Sequence, residues 1–193
     1  MKPSIDEMLR EHIPYRLTHL DGLVWASEKL LASYRPTVIS IQFDGQVALV
    51  PTSLYQITNP LFEIGILYCR VLLDFLGIQL DRKNKMLAGR TGRRSDDFGI
   101  EQLSLPYVTV PQLLGAPCAR SGDVEAATIA TLVSADKGIA HFTSGKSGRA
   151  YVEDSLLCAK AVAWCVEEYV YRKQNIPISD YKRWTAPDEE RAP

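Results

Sequence analysis

The sequence is poor in the residue patterns that mark metal sites and disulfide frameworks. It contains three histidines and four cysteines, and the cysteines form no CxxC pair and have no histidine at a ligand spacing. Structural zinc sites and small secreted scaffolds depend on such spacings. We therefore expect the protein to hold no metal ion and no other cofactor. We also expect its location to be a reducing cytoplasm. Cys158 and Cys165 lie seven residues apart on one helical face, which is typical of small buried residues.

An excess of charge of either sign is also missing. Lysine and arginine number 22, aspartate and glutamate number 23, and the formal net charge is −1. A general basic excess would indicate nucleic acid, and an acidic excess would indicate a solvating tail. The overall charge therefore points to neither class of protein.

Uninterrupted apolar runs are absent as well. The longest apolar stretch, residues 61–78, is interrupted by Glu63, Arg70 and Asp74, whereas a membrane span needs about 20 mostly apolar residues. The N-terminal MKPSIDEMLREH lacks the apolar core and cleavage signal of a secretory peptide. We interpret 61–78 as a buried helix and expect no membrane partner.

What the chain does contain is helical periodicity. Apolar residues recur every three to four positions in four segments, 14–34, 60–77, 123–143 and 149–173. Asn59 and Pro60 fit the start of the second segment and Gly77 fits its end, while Asp123 fits the cap of the third. With 193 residues, 46% of them hydrophobic, the chain can bury one sizeable core.

These segments predict a mainly α protein, an up-and-down bundle of four principal helices. We place a single domain at 1–175 and a partly flexible C-terminal tail at 176–193. Between the first two helices, VISIQFDGQVALV alternates polar and apolar residues around Asp44-Gly45, a favoured two-residue turn. A small β-hairpin over about 38–50 is therefore expected, and an extended loop is the alternative.

Residues 81–104 change character, with six basic residues and little periodicity. We interpret them as an exposed loop, followed by an irregular segment, LPYVTVPQLLGAP. Arg90, Arg93 and Arg94 in this loop are candidate nucleic-acid contacts, because a flexible basic loop can bind phosphates through counterion release. The loop has no interleaved aromatics for base stacking, so a solvated loop is favoured over RNA contact.

The segment AHFTSGKSG, residues 140–148, fits a loose phosphate-loop pattern with Gly145-Lys146-Ser147. A phosphate loop needs a buried strand leading directly into its glycine-rich turn. Here the preceding residues are polar and helical in pattern, and Ala140 replaces the first glycine. We favour a helix that ends near Thr143 and keep a phosphate-loop NTPase as the weaker alternative.

Two groups of polar residues suggest chemistry. Glu63, Arg70 and Asp74 form one narrow stripe of their helix, and Arg70 and Asp74 are an i,i+4 pair. A solvated edge is one interpretation and a polar seam between helices is the other, and we expect Arg70 and Asp74 to be more buried than typical charges. His141, which shares a helical face with Lys137, is a candidate general acid or base, or a structural histidine.

Three segments occur together in order: CRVLLDFLG (69–77), RRSDDFGIEQL (93–103) and ADKGIAHFT (135–143). They resemble a group of bacterial helical proteins similar to the HEPN superfamily. In that group an Arg-x-x-x-Asp-Phe helix precedes an Asp-Asp loop and an Asn-Lys-x-x-x-His-Leu-Thr-like segment. The resemblance covers about residues 60–172, and it implies a helical bundle and, for many members, RNA cleavage or nucleotide-binding partnership.

The resemblance departs from the HEPN ribonuclease pattern at the catalytic signature, which is Arg-x(4–6)-His. Upstream of His141 the permitted positions hold Asp136, Ala135 and Ser134. An RNase lacking the phosphate-binding arginine would be poor unless Arg70 replaced it. We therefore favour a non-catalytic interaction module that forms a dimer or binds a protein, with RNA as a further partner. The alternative is an RNA endonuclease or nucleotide-handling enzyme that uses His141, Arg70, Asp74 and Lys137.

Overall fold

The computed structural model of the protein describes residues 3–32, 38–43, 46–51, 53–94, 97–136 and 149–177. Its α-helices are α1 (Ile5–Glu7), α2 (Ile13–Leu31), α3 (Tyr55–Leu76), α4 (Val110–Leu114), α5 (Ser121–Ser134) and α6 (Arg149–Val166). Its strands are β1 (Val38–Phe43), β2 (Gln46–Pro51), β3 (Ile78–Asp81) and β4 (Met86–Gly89). Two π-helical turns (Met8–His12 and Glu167–Tyr171) and a 3-10 turn (Ile100–Leu103) complete the regular structure of this part of the chain.

The helices α2 and α3 pack antiparallel. Leu23 of α2 lies against Gly65 of α3, and the rings of His19 and Tyr68 stack with centroids 4.9 Å apart. Residue numbers therefore rise along one helix while they fall along the other. Close packing at Gly65 brings the two backbones together, because a glycine leaves room that any side chain would fill.

The helices α5 and α6 close the bundle. Tyr151 and Cys158 of α6 lie beside Ser134 and Thr131 of α5, in antiparallel order. The ring of Phe62 in α3 meets that of Tyr151 edge-on at 5.3 Å. The prediction of a mainly α, up-and-down bundle of four principal helices is thus confirmed. Its core consists mostly of leucine, isoleucine, valine, alanine and cysteine side chains, with Met8, Phe62, Phe75 and Tyr171 among them.

The start predicted for α3 is wrong. The helix begins at Tyr55, and Pro60 lies inside it. The buried Thr58 donates from its backbone N–H and from its hydroxyl to the Leu54 carbonyl, which stabilises the extra turn. The predicted end at Gly77 is confirmed, since Gly77 has φ +93° and an added Cβ would collide with the Tyr107 ring. None of the helices in the described ranges, α3 included, combines the length and the apolarity needed to cross a membrane.

A β-hairpin is present where the alternation predicts one. β1 pairs antiparallel with β2, from Val38 opposite Pro51 to Phe43 opposite Gln46. The predicted turn at Asp44-Gly45 lies outside the described residues.

The exposed loop predicted for 81–104 is wrong in part. β3 and β4 form a second antiparallel hairpin, with Leu80 opposite Leu87, and Leu87 and Ile100 are buried in the core. These strands have four residues each, which is too short for an alternating pattern to stand out. The basic residues therefore lie on a segment that folds back onto the bundle.

Two further helix boundaries differ from the predictions. α5 begins at Ser121, so Asp123 lies in its first turn and pairs with Arg120 at 2.9 Å instead of capping it. The segment predicted to be irregular contains α4, which Thr109 caps by accepting a hydrogen bond from the Gln112 N–H. The end of the third predicted helix, together with most of the C-terminal tail, lies outside the described residues.

The contact at Gly65 leads to a prediction of stability. A Cβ at this position would lie 2.3 Å from the Leu23 Cβ and 3.0 Å from the His19 carbonyl oxygen. We expect Gly65→Ala to lower the free energy of unfolding by about 1–3 kcal/mol, because the two helices must move apart. Urea unfolding followed by circular dichroism measures this change.

The matched control is Gly22→Ala on the partner helix. A Cβ there would meet only the Leu61 side chain, at an ordinary 3.6 Å. Alanine favours a helix interior over glycine by about 1 kcal/mol, so this variant should be neutral or more stable. Equal losses in both variants would contradict the close approach at Gly65.

Candidate functional site

A groove of about 1220 Å³ runs along α3. Three parts of the chain line it: the N-terminal residues 3–16, residues 64–75 of α3, and the segment 90–98 that follows β4. Small-molecule pockets are typically about 300–1000 Å³, so this groove is large enough for a segment of another macromolecule.

An apolar stripe of α3 lies along the groove. It consists of Ile64, Leu67, Val71 and Phe75, which are spaced by three or four residues and so share one side of the helix. Val71 is 41% exposed, and Ile64 and Leu67 are half-buried. Phe75 is only 5% exposed and also belongs to the core, so Ile64, Leu67 and Val71 form the apolar face that α3 presents to the groove.

Beside the stripe, Asp74 is the centre of an ion-pair cluster. Its carboxylate pairs with Arg90 and, at 3.2 Å, with Arg93. Arg90 also pairs with Asp97 at 3.3 Å, and Arg93 pairs with Glu101 at 3.0 Å. The cluster connects the end of α3 to the segment after β4 and forms one wall of the groove.

Arg93 also caps the C-terminal end of α3. One terminal nitrogen donates to the backbone carbonyl of Asp74 at 2.6 Å and to that of Phe75 at 3.4 Å, and the other donates to Phe98 at 3.3 Å. The last carbonyls of a helix have no intrahelical partner, and they carry partial negative charge. A guanidinium has five donors in a rigid plane and suits this position well.

The structure corrects the interpretation of the polar stripe on α3. Arg70 and Asp74 each form their salt bridges with other parts of the chain, rather than as an i,i+4 pair. The expectation that both are more buried than typical charges is wrong for Arg70, whose side chain is 49% exposed, and the side chain of Asp74 is 40% exposed. The buried charges are instead Arg93 and Arg90, with side chains 5% and 15% exposed.

The three arginines proposed for nucleic-acid contact therefore differ in their surroundings. Arg90 and Arg93 are held by carboxylates inside the fold, so their cations are already compensated. Arg94 is exposed and has no ion pair within the described ranges. Sequence reasoning treated all three alike because their acidic partners lie up to 19 positions away.

Arg70 connects α3 to the end of α5. It pairs with Asp136 at 2.8 Å, and Asp136 also pairs with Arg82 of the β3–β4 hairpin at 2.5 Å. Asp136 directly precedes Lys137, so Arg70 lies next to the point where the segment 137–148 begins. Lys137, His141 and the Gly145-Lys146-Ser147 pattern lie outside the described residues.

Arg16, another cation of the groove, is held over an aromatic ring. Its guanidinium carbon lies 5.7 Å from the centroid of the Tyr68 ring, and it donates to the His12 carbonyl at 2.6 Å. Tyr68 also stacks on His19, which in turn meets Tyr15 edge-on at 4.7 Å. Sequence reasoning missed this cluster, although the i,i+4 spacing of Tyr15 and His19 was a usable signal.

The titratable groups of this cluster are shifted by burial. Partial burial lowers the pKa of His19, which favours the neutral imidazole. Burial, followed by the hydrogen bond with Tyr15, raises the pKa of Tyr68, so its phenol stays protonated. Within the described part of the chain, no group of three or more His, Cys, Asp or Glu residues is arranged to hold a metal ion.

Comparisons with protein-family models, with curated proteins and with solved structures find no match to this chain.

Three of the four cysteines are part of the core rather than of the groove. Cys69, Cys158 and Cys165 are buried, in agreement with the expectation for Cys158 and Cys165, and Cys118 is exposed. Cys69 and Cys158 hydrogen-bond to each other across α3 and α6. Burial raises the pKa of Cys165 to about 12, so its thiol stays neutral at physiological pH.

The raised pKa of Cys165 predicts a loss of stability in alkali. Above the ordinary thiol pKa of about 8.5 the unfolded chain loses this proton, while the folded protein keeps it up to about pH 12. The contribution of this thiol to the free energy of unfolding is therefore complete below its ordinary pKa, and it is lost as the pH rises above that value. We expect the free energy of unfolding to fall by about 1.4 kcal/mol per pH unit from this thiol.

Urea unfolding of the wild type and of Cys165→Ala at pH 8, 9, 10 and 10.5 tests this prediction. The variant lacks the thiol, so its stability should fall less steeply above pH 9, and the two curves should converge. At pH 8 and below, the difference between the two proteins should be constant. Parallel curves over the whole range would contradict a neutral buried thiol at position 165.

Proposed function

We propose that this protein is a non-catalytic interaction module that binds a partner in the groove along α3. The observation that carries the proposal is the half-exposed apolar stripe formed by Ile64, Leu67 and Val71. Exposed apolar side chains that share one face of a helix are typical of protein–protein contact sites. A partner would remove them from water.

The ion-pair cluster that forms the wall beside the stripe supports a structural role for these charged groups rather than a catalytic one. Asp74 and Arg93 satisfy one another and the end of α3. Acid–base catalysis needs a group that is free to exchange its proton with a substrate. Saturated ion pairs instead give the groove a rigid wall of defined shape.

The partner is a second copy of this chain or another protein, in the cytoplasm of a bacterium, as the resemblance to HEPN-like bundles implies. A symmetric dimer is a common way to cover an apolar helix face. The up-and-down order of the four helices is compatible with that resemblance.

A photo-crosslinking amino acid at position 71 tests the proposal in living cells. Val71 lines the groove, and Val133 of α5 is equally exposed at 41% but does not line it. We expect a light-dependent adduct from position 71 and none from position 133. The absence of an adduct at position 71, or the same adduct from both positions, would count against the groove as a binding surface.

A second candidate function, RNA cleavage, is favoured by one contact. The salt bridge from Arg70 to Asp136 holds an arginine beside the start of the segment that contains Lys137 and His141. In this alternative Arg70 supplies the phosphate-binding cation, and His141 acts as the general acid or base.

The two candidates differ in their response to labelled RNA. Cleavage by the wild type that is lost in both His141→Ala and Arg70→Ala would replace the interaction module by the ribonuclease. The weaker alternative, a phosphate-loop NTPase at Gly145-Lys146-Ser147, requires a saturable change of tryptophan fluorescence with ATP and Mg²⁺ that Lys146→Ala abolishes.

A further inference from the structure

We infer that the occupant of the groove is an amphipathic helix with acidic residues beside its apolar stripe. The inference rests on the proposed function and adds the chemical class of the partner. It follows from the length and spacing of the apolar stripe of Ile64, Leu67, Val71 and Phe75, which forms the floor of the groove. It also follows from the charges of the lining that have no opposite charge beside them.

The floor has the dimensions and spacing of a helix–helix contact. From Ile64 to Phe75 the stripe covers twelve residues of α3, and the rise from the first to the last is about 17 Å at 1.5 Å per residue. That length matches about three turns of a second helix. Side chains at positions i, i+3, i+7 and i+11 form the ridge against which another helix packs.

The walls of the groove also suit a helix rather than a flat surface. Met8 of the N-terminal π-helical turn and Phe98 of the segment after β4 contribute apolar surface to the lining. Methionine adapts to irregular partners because its side chain is unbranched and polarisable. A partner helix would therefore have apolar contacts with both walls as well as with the floor.

The charge of the lining selects for acidic flanks. Five arginines line the groove, Arg16, Arg70, Arg90, Arg93 and Arg94, against the three carboxylates Glu7, Asp74 and Asp97. Asp74 and Asp97 are already paired with Arg90.

The third carboxylate is used within its own turn. Glu7 accepts a hydrogen bond from the backbone N–H of Ser4 at 2.6 Å, as part of a capping box, and this bond is the main cause of its lowered pKa. Arg16 and Arg94, in contrast, form no salt bridge with a carboxylate in the described ranges. The uncompensated charge of the groove is therefore positive, and it attracts acidic side chains.

The same features disfavour single-stranded nucleic acid. Such strands bind where exposed aromatic rings stack on successive bases along a basic track. Here the centre of the floor is the aliphatic Val71, and the Tyr68 ring is already covered by Arg16 and His19. A partner helix uses the aliphatic floor, whereas a row of bases does not.

Selection from a display library of random 16-residue peptides on the full-length protein tests this inference. We expect the selected peptides to repeat apolar residues at helical spacing and to be rich in Asp and Glu beside them. A synthetic copy of the best peptide, labelled for fluorescence anisotropy, should lose at least tenfold in affinity for Val71→Asp and keep its affinity for Val133→Asp.

Charge reversal then tests the acidic flanks. The double variant Arg16→Glu, Arg94→Glu should bind the acidic peptide at least tenfold more weakly. It should recover binding when the acidic residues of the peptide are replaced by lysine. Binding that is unchanged by the double variant, or selected peptides that are basic or extended, overturns the inference.

Two further outcomes identify a different occupant. Binding of a labelled oligouridylate that competes with the peptide and depends on Arg16 and Arg94, but not on Val71, assigns the groove to nucleic acid. Sedimentation as a dimer that becomes a monomer in Val71→Asp assigns it to a second copy of this chain. Either outcome overturns the acidic helix.

Failure of the partner class and failure of the proposed function remain distinguishable. If no helical acidic peptide is selected while position 71 still crosslinks to a protein, the groove is an interaction surface and the inferred chemistry is wrong. If no peptide loses affinity in Val71→Asp and no adduct forms from position 71, the proposed function fails as well.

Discussion

Arg93→Ala is expected to lower the free energy of unfolding by about 3–5 kcal/mol. The Arg93 side chain is almost fully buried, and it pairs with Asp74 and Glu101 while donating to carbonyls at the end of α3. Removing it takes the ion-pair partner from Glu101 and one donor from Asp74, which keeps Arg90 at its carboxylate and the Gly77 N–H at its carbonyl. The other oxygen of Glu101 is already buried without a hydrogen-bond partner, so the loss is not readily offset. Urea unfolding followed by circular dichroism measures the change.

The neighbouring residue supplies the control. Arg94 is exposed and has no ion pair within the described ranges, so Arg94→Ala should change stability by about 0.5 kcal/mol or less. Arg93→Lys should fall between the two, because an ammonium group retains the charge but cannot donate in all the directions of the guanidinium. A loss below 1 kcal/mol for Arg93→Ala would mean that the cluster is not a structural connection.

Tyr171→Ala is expected to cost about 3–5 kcal/mol. Tyr171 is one of the largest fully buried side chains, and its hydroxyl donates to the Leu9 carbonyl at 2.8 Å. That carbonyl lies in the N-terminal π-helical turn, where the Ile13 N–H bonds to the Met8 carbonyl. The next residue, Pro14, has no N–H to donate. The tyrosine therefore supplies the missing donor, and it joins the N-terminal π-helical turn to the π-helical turn that follows α6.

Tyr171→Phe separates the hydrogen bond from the packing. It keeps the ring in the core and leaves the Leu9 carbonyl unsatisfied, so we expect a loss of about 1–3 kcal/mol. Thermal unfolding by calorimetry measures both variants. If the phenylalanine variant were as stable as the wild type, the Leu9 carbonyl would have another donor, and the π-helical turn would not depend on Tyr171.

The helices could be predicted because the signal for a helix is local. Apolar spacing located α2, α3, α5 and α6, and Gly77 ended α3 where a left-handed residue was expected. The start of α3 could not be predicted in the same way, because burial of Leu54 and Thr58 outweighs the usual preference for proline in the first turn. That burial depends on the packing of the bundle.

The candidate site can be predicted only in part of its membership. The sequence singles out Arg70 and Asp74 as a polar stripe, and Arg90 and Arg93 as nucleic-acid contacts on an exposed loop. It gives neither their pairing nor the cluster of Arg16 and Tyr68. A salt bridge between residues 19 positions apart, such as Asp74 and Arg93, depends on how the segment after β4 folds back. The β3–β4 hairpin turns the chain back onto the bundle. Because the sequence pattern does not reveal this hairpin, arginines that are buried in the structure are predicted to lie on an exposed basic loop.

The helical class, the four principal helical segments and the first hairpin follow from local sequence patterns, because periodicity and turn residues act over a few neighbouring positions. The apolar face of α3 along the groove, and the pairing of particular arginines with carboxylates, emerge only when the chain has folded. Burial and charge pairing depend on distances through space, and those exist only once the chain has packed.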